Sequence, residues 1–181
     1  MIILKEGIKA QKKKQNYFIT EEEIKILWKY AGEWSSKFQL ILGFALMRGL
    51  RIGEIMGINI NDFSDNFNKI DIILEKSHIQ DRFPIIEPLK EMVIKYIYSN
   101  AHMLKDGFLF PYYSRKGKMP YMDTKTAEAL FAKIRKKIGI KHPEFLEHTL
   151  YKTKNGCVRK RYRIGYHSLR RFFETELREG N

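Results

Sequence analysis

The chain has one cysteine, Cys157, in 181 residues. An internal disulfide and a cysteine-rich zinc site are both excluded, and a reducing compartment suits the protein. Its five histidines are scattered. Only His142-x5-His148 approaches a ligand pair, and neither a metal nor a cofactor is expected. No uninterrupted apolar run comes near the length that crosses a bilayer. The opening MIILKEG offers four apolar residues before Lys5, too few for the core of a secretory leader, so no membrane partner is expected. The last absence is local. Between Glu147 and Glu174 there is no acidic side chain, while Lys152, Lys154, Arg159, Lys160, Arg161, Arg163, Arg170 and Arg171 crowd the same interval.

What is present is a surplus of positive charge, 34 basic against 21 acidic residues for a net +13. Solubility does not require the two signs to be segregated along the chain. A one-signed field that steers and holds a polyanion does, so nucleic acid is the favoured partner. A hydrophobic fraction of 44% and a length of 181 residues suit one folded domain. Residues 1–16, with Lys9 and the Lys12-Lys13-Lys14 run, read as a basic tail or linker remnant, and residues 17–181 as the domain.

Thr20-Glu-Glu-Glu23 is a capping box, followed by Ile24, Leu27, Trp28 and Ala31 at helical spacing. A nearly apolar helix over residues 36–47 reads as a core element, with Gly49 as its stop and a short helix over residues 51–56. The period then changes. Residues 70–74 and 82–86 are expected as an antiparallel strand pair, and Pro84 makes the second strand short or an edge. Helices follow over residues 88–100 and 123–137, the second capped by Asp123 and closed by Gly139. Between them, FLFPYYSRKGKMPYM is a long polar and aromatic loop, where Tyr112 and Tyr113 could stack on bases. Residues 149–165 carry Asn155-Gly156, the signature of a type I′ hairpin turn, with basic arms that could lie along a nucleic-acid backbone. The last helix places His167 and Arg170 three residues apart on one face. The fold class is α+β, mainly helical, with a small antiparallel sheet and a second, basic β-hairpin.

Three stretches resemble motifs of one family, the tyrosine recombinases or phage integrases. Gly49-Leu50-Arg51-Ile52-Gly53-Glu54-Ile55, within ALMRGLRIGEIMGININD, is similar to the family's first arginine motif. The resemblance implies that Arg51 is a catalytic arginine and Glu54 its supporting acid. LEKSHIQDRFPII resembles the family's catalytic hairpin, which makes Lys76 the catalytic lysine and ends at Arg82 before Pro84. His167-Ser168-Leu169-Arg170 resembles the his-x-leu-arg box, so His167 and Arg170 complete the implied set. Arg171 stands where a histidine is common. The likeness runs from residue 18 to 179 and implies the family's catalytic-domain fold.

The chemistry suits these residue types. Cleaving a phosphodiester by transesterification builds negative charge on nonbridging oxygens, which two guanidiniums can grip through fixed donors while staying charged. A lysine can protonate the departing 5′ oxygen, and an imidazole can assist the attacking tyrosine or hold the phosphate. The plain alternatives are that Arg51 pairs with Glu54 or Glu22, that Arg170 pairs with Glu174, and that Lys76 is ordinary turn charge.

The resemblance also implies a tyrosine nucleophile beyond the second arginine, and none follows Arg170 in this sequence. Tyr166 lies on the wrong side of the box, and Tyr151 and Tyr162 read as hairpin residues. The expectation is a catalytic domain truncated at its C-terminus, from a parent site-specific recombinase that works through a 3′-phosphotyrosyl intermediate. As given, the chain would bind DNA without cutting it. The alternatives are a degenerate integrase-like DNA-binding protein, a nucleophile supplied in trans, and a basic RNA-binding or structural nucleoprotein domain. The implied partner is double-stranded DNA at an attachment site, with a homotetramer for the intact protein and a monomer for this piece. The implied setting is cytoplasmic and nucleoid-associated, with a mobile element or virus as the source. The recombinase reading requires Arg51 and Arg170 to meet in one basic cleft.

Overall fold

A computed structural model describes residues 19–75, 77–104, 106–112, 120–153 and 155–179. The basic tail, Lys76, Tyr113 and Lys154 lie outside the described residues. Helix α1 (Glu21–Trp34) starts at the expected capping box. Thr20 Oγ1 accepts the Glu23 N–H at 3.2 Å, and the Glu23 carboxylate accepts the Thr20 N–H at 2.9 Å. Ser35 caps α2 (Ser36–Arg48), which is buried on nearly every side through Phe38, Leu40, Ile41, Leu42 and Phe44. Each of those five side chains contributes about 1.5–3 kcal/mol of burial. The helices α1, α4 (Glu87–Asn100) and α6 (Tyr166–Glu179) pack around α2.

Gly49 ends α2 with φ 62°, a left-handed conformation that glycine adopts without strain. A side chain here would also run into the ring of Phe173 on α6. The chain then turns directly into α3 (Ile52–Met56).

The sheet has three antiparallel strands in the order β1 (Phe63–Ser64), β2 (Lys69–Ile73), β3 (Gln80–Pro84). The expected pair is present, but β2 lies one residue and β3 two residues earlier than the sequence suggested. The register Ile70↔Phe83 and Ile72↔Asp81 decides this. Ile85 is buried and Ile86 already caps α4, so the apolar run after Phe83 feeds the helix rather than the ladder. Pro84, which lacks an N–H, is the last residue of an edge strand.

Helix α5 (Thr124–Gly139) is capped by Asp123, whose Oδ1 accepts the Thr126 N–H at 2.6 Å. Gly139 does not close this helix as a left-handed stop. It is the last residue of the helix itself, and its missing side chain makes room for Leu146.

The second hairpin pairs β4 (His148–Lys152) with β5 (Val158–Tyr162). Its turn differs from the expected two-residue type I′. Thr153 and Cys157 form the closing pair, the Gly156 N–H bonds to the Thr153 carbonyl at 2.9 Å, and Gly156 has φ 78°. Three residues separate the closing pair, the arrangement in which glycine takes the left-handed position of a bulged loop. At the base of the hairpin, Arg163 turns back to the start of α1. It bonds both oxygens of the Glu23 carboxylate, and its Nε donates to Glu147 Oε2 at 2.7 Å. Among the described residues no helix is long and apolar enough to cross a membrane.

Candidate active site

The corner between α2 and α3 determines where Arg51 stands. Glu54, one turn into α3, reaches back so that its Oε2 accepts the Arg51 backbone N–H at 2.7 Å. Its Oε1 takes a 2.9 Å bond from Arg51 Nη1 and a 3.2 Å bond from the Glu75 N–H. The Glu54 side chain is 1% exposed. One buried carboxylate thus holds a helix start, a guanidinium and the segment leading to the β2–β3 turn, where Glu75 is the residue before Lys76. Gly53 permits this approach, because a side chain there would strike the Glu75 carboxylate.

Helix α6 brings the other arginine to the same carboxylate. Arg170 Nη1 donates to the Gly49 carbonyl at 2.8 Å and lies 3.9 Å from Glu54 Oε2, while its Nε pairs with Glu174 at 2.8 Å. The plain alternatives are therefore partly realised, since Arg51 does pair with Glu54 and Arg170 with Glu174. Glu22 bonds Lys25 instead of Arg51. These pairs coexist with convergence. Arg51, Arg170 and His167 line one open cavity of about 680 Å³, together with Lys160 of the hairpin and Glu75. Partial burial, then the cations of Arg171 and Arg170, hold the His167 imidazole below its usual value. The neutral ring, able to accept a proton, is thereby favoured near neutral pH.

The remaining basic residues divide by their partners. Lys152, Arg159 and Arg161 are exposed on the hairpin, where Arg161 stacks over Tyr151 at 4.8 Å. Arg171 is exposed on α6. Arg82 forms a two-pronged pair with Asp71 across the strands, at 2.6 and 2.9 Å. Arg163 differs most from its expected role in binding DNA, because its guanidinium is paired with the buried Glu23 and the exposed Glu147.

Two tyrosines, Tyr162 and Tyr166, line the cavity. The Tyr166 hydroxyl donates to the Ala127 carbonyl at 3.2 Å, and burial pushes its phenol well up from the usual range. A phenol so held is a poor nucleophile. The Tyr162 ring lies under Arg135, whose guanidinium carbon is 3.6 Å from its centre. Sequence reasoning missed Arg135. The available signal was a charge at position 135, beside the apolar stripe of Ala127, Phe131, Ile134 and Ile138 on α5.

The profile of the Phage integrase family matches residues 17–181. No curated protein sequence matches the chain. Among solved structures, the XerA recombinase is similar with a TM-score of 0.64 and 22% identity, over 91% of this chain and 52% of that one. The Tn1549 transposon integrase in complex with a circular intermediate DNA gives 0.65 and 20%, over 91% and 54%. A lambda integrase tetramer bound to a Holliday junction gives 0.57 and 16%, over 87% and 41%. The chain thus spans about half the length of these relatives. At such identities the likeness establishes the fold, mainly helical α+β with small antiparallel sheets.

Proposed function

This chain belongs to the phage integrase family, and from that premise we propose that it is the catalytic domain of a site-specific DNA recombinase that grips the scissile phosphate of a duplex. The observation that carries the proposal is the meeting of Arg51, Arg170 and His167, from distant parts of the sequence, at one cavity, with the Glu54 carboxylate paired to Arg51 and 3.9 Å from Arg170. Arg51 and Arg170 bind the nonbridging oxygens and hold the charge that develops there. Neutral His167 assists the attacking tyrosine or holds the phosphate. In the proposed step the attacking phenol gives its proton to neutral His167 as its oxygen bonds to phosphorus, the bond to the 5′ oxygen breaks, and Lys76 gives that oxygen its proton. The product is a 3′-phosphotyrosyl ester.

The held phenol of Tyr166 argues against that residue as the nucleophile, and the tyrosine of the proposed step comes from elsewhere in the parent protein or from a neighbouring copy. Lys152, Arg159, Lys160, Arg161 and Arg171, with Lys154, supply cations for the flanking backbone. The proposed substrate is double-stranded DNA at an attachment or recombination site of a mobile element or virus, acted on in the cytoplasm or nucleoid by a tetramer of the intact protein.

The test is a nicked duplex selected for binding to this chain, run on native and denaturing gels. Expected are a native complex that Arg51→Ala and Arg170→Ala each weaken, and no covalent band. A covalent band abolished by Arg51→Ala would assign the nucleophile to a tyrosine of this chain and overturn that part of the proposal. Binding indifferent to both arginines, or equal binding to an RNA hairpin, would overturn the whole.

A further inference from the structure

The buried guanidinium of Arg135 has no role in the step proposed above. It lies on α5 with 9% of its surface exposed. Among the described residues it enters no ion pair, and its Nε is buried without a hydrogen-bond partner. A cation removed from water without an anion is unfavourable, and an apolar side chain of similar volume usually serves stability as well or better. It borders the cavity that Arg51, His167 and Arg170 line and lies 5.9 Å from the Phe131 ring of its own helix, and its shorter contacts are at one corner. Nη1 donates to the Ile164 carbonyl at 3.2 Å, and the guanidinium stacks on Tyr162, the last residue of β5. A flat guanidinium can cover a ring and reach a carbonyl at the same time; a lysine cannot.

That corner joins the basic hairpin to His167. Gly165 follows, its N–H bonded to Ser168 Oγ at 2.9 Å, and α6 begins at Tyr166. Helix α5 holds the corner along a single stripe of residues four apart. The Ala127 carbonyl takes the Tyr166 hydroxyl, the Phe131 ring meets the Tyr166 ring edge-on at 4.7 Å, and Arg135 takes Tyr162 and Ile164. Two of the three contacts are ordinary packing and hydrogen bonding. The third uses a buried charge where none is needed to fill space.

We infer that Arg135 is a positioning residue, clamping the β5–α6 corner onto α5 so that His167 stands in register with Arg51 and Arg170 when a duplex loads the hairpin. Lys160 and Arg161 precede Tyr162 on β5, so force on those cations reaches the clamp before it reaches α6. The inference rests on reading Arg51, His167 and Arg170 as a phosphate site.

The experiment compares wild type, Arg135→Met, Arg135→Lys, Tyr162→Leu and Arg51→Ala, all in the full chain. Nicked-duplex affinity, thermal unfolding and the NMR signals of the His167 ring, free and with duplex, are read for each. A misplaced site group is felt strongly in function, so Arg135→Met is expected to bind the duplex about tenfold more weakly while still folded. Its His167 signals are expected to shift and broaden. Arg135→Lys keeps the charge without the plane and recovers only part of the loss. Tyr162→Leu moves the same signals in the same sense, and it decides the matter if Arg135→Met does not fold. Unchanged His167 signals in folded Arg135→Met, or in Tyr162→Leu, would overturn the clamp. So would full rescue by Arg135→Lys. If Arg51→Ala weakens binding and Arg135→Met does not, the clamp alone falls; if Arg51→Ala has no effect, the phosphate site itself falls.

Discussion

The α2–α3–α6 corner and the β4–β5 hairpin are both rich in cations, yet they treat them in opposite ways. In the corner each guanidinium is aimed. The side chains of Arg51 and Arg170 are only 27% and 25% exposed, fixed by a buried carboxylate and a backbone carbonyl. On the hairpin, Lys152, Arg159 and Lys160 are exposed and enter no ion pair among the described residues. Charge held in fixed geometry can discriminate one phosphate geometry from another, at a cost in desolvation. Hydrated charge attracts any polyanion and is screened by salt. On the proposed function, the difference separates the part of the molecule that selects from the part that collects.

Breaking the corner should have the largest effect. Glu54→Leu leaves the Arg51 guanidinium and the N–H groups of Arg51 and Glu75 without their acceptor and removes the carboxylate 3.9 Å from Arg170, and urea unfolding should register a loss of about 3–5 kcal/mol. Glu54→Gln, which keeps an acceptor, should lose less stability while still weakening duplex binding. Equal stability in Glu54→Leu and wild type would remove the distinction drawn above.

Next comes the Arg163–Glu23 pair, a hairpin-base cation that behaves like the corner. Glu23→Gln should cost about 2–3 kcal/mol near neutral pH. Burial works to raise the Glu23 pKa, but the bonds from Arg163 and Thr20 outweigh it and hold the carboxyl below its ordinary value. The pair's stabilisation is therefore present above about pH 4.5 and lost as pH falls through the lowered folded value. An acid titration of stability should be correspondingly flatter in Glu23→Gln.

The hairpin itself should respond only to salt. Lys152→Gln and Arg159→Gln should each reduce the slope of log affinity against log salt by about 0.9 if that side chain meets a phosphate. Each should change stability by no more than about 0.5 kcal/mol. A loss of stability beyond that would mean that these cations are structural after all.

The smallest expected effect is at His167. Bound phosphate favours the imidazolium, so the complex takes up a proton that the free site, with its lowered pKa, does not hold. Duplex affinity should rise a few-fold as pH falls below the ordinary imidazole value of about 6.5, and His167→Gln should flatten that dependence.

The sequence reads most clearly where a local rule acts. The Thr20–Glu23 box, the left-handed Gly49, the buried face of α2 and the Asp123 cap all follow from contacts within a few residues of the chain. The Arg51–Glu54 pair is local as well, one turn apart, although the role suggested for it comes from the resemblance to a family motif and not from spacing. The strand Phe63–Ser64 was invisible, being too short to show a period of two and existing only because Ile70 and Lys69 pair with it. The β3 register and the hairpin turn depended on which carbonyl each N–H met across the ladder. Sequence reasoning assigns the charge of Arg163 to DNA and passes over Arg135. Their partners, Tyr162, Ile164, Glu23 and Glu147, lie too far along the chain for spacing rules to suggest them.

The Arg170 bond to the Gly49 carbonyl spans 121 positions, and the Arg163 bond to Glu23 spans 140. During synthesis at about 5–20 residues per second, the α1–α2–α3 segment leaves the ribosome on the order of ten seconds before either arginine is made. In that interval Glu23 has its Thr20 cap and Glu54 has Arg51, so the nascent helices carry local partners for the carboxylates they will later bury. The pairing of the two arginines at the α2–α3 corner cannot assemble until α6 docks. A chain made only through α5 therefore holds one arginine of the pair and not the other, and on the proposed function the means to grip a phosphate is gained in a single docking event.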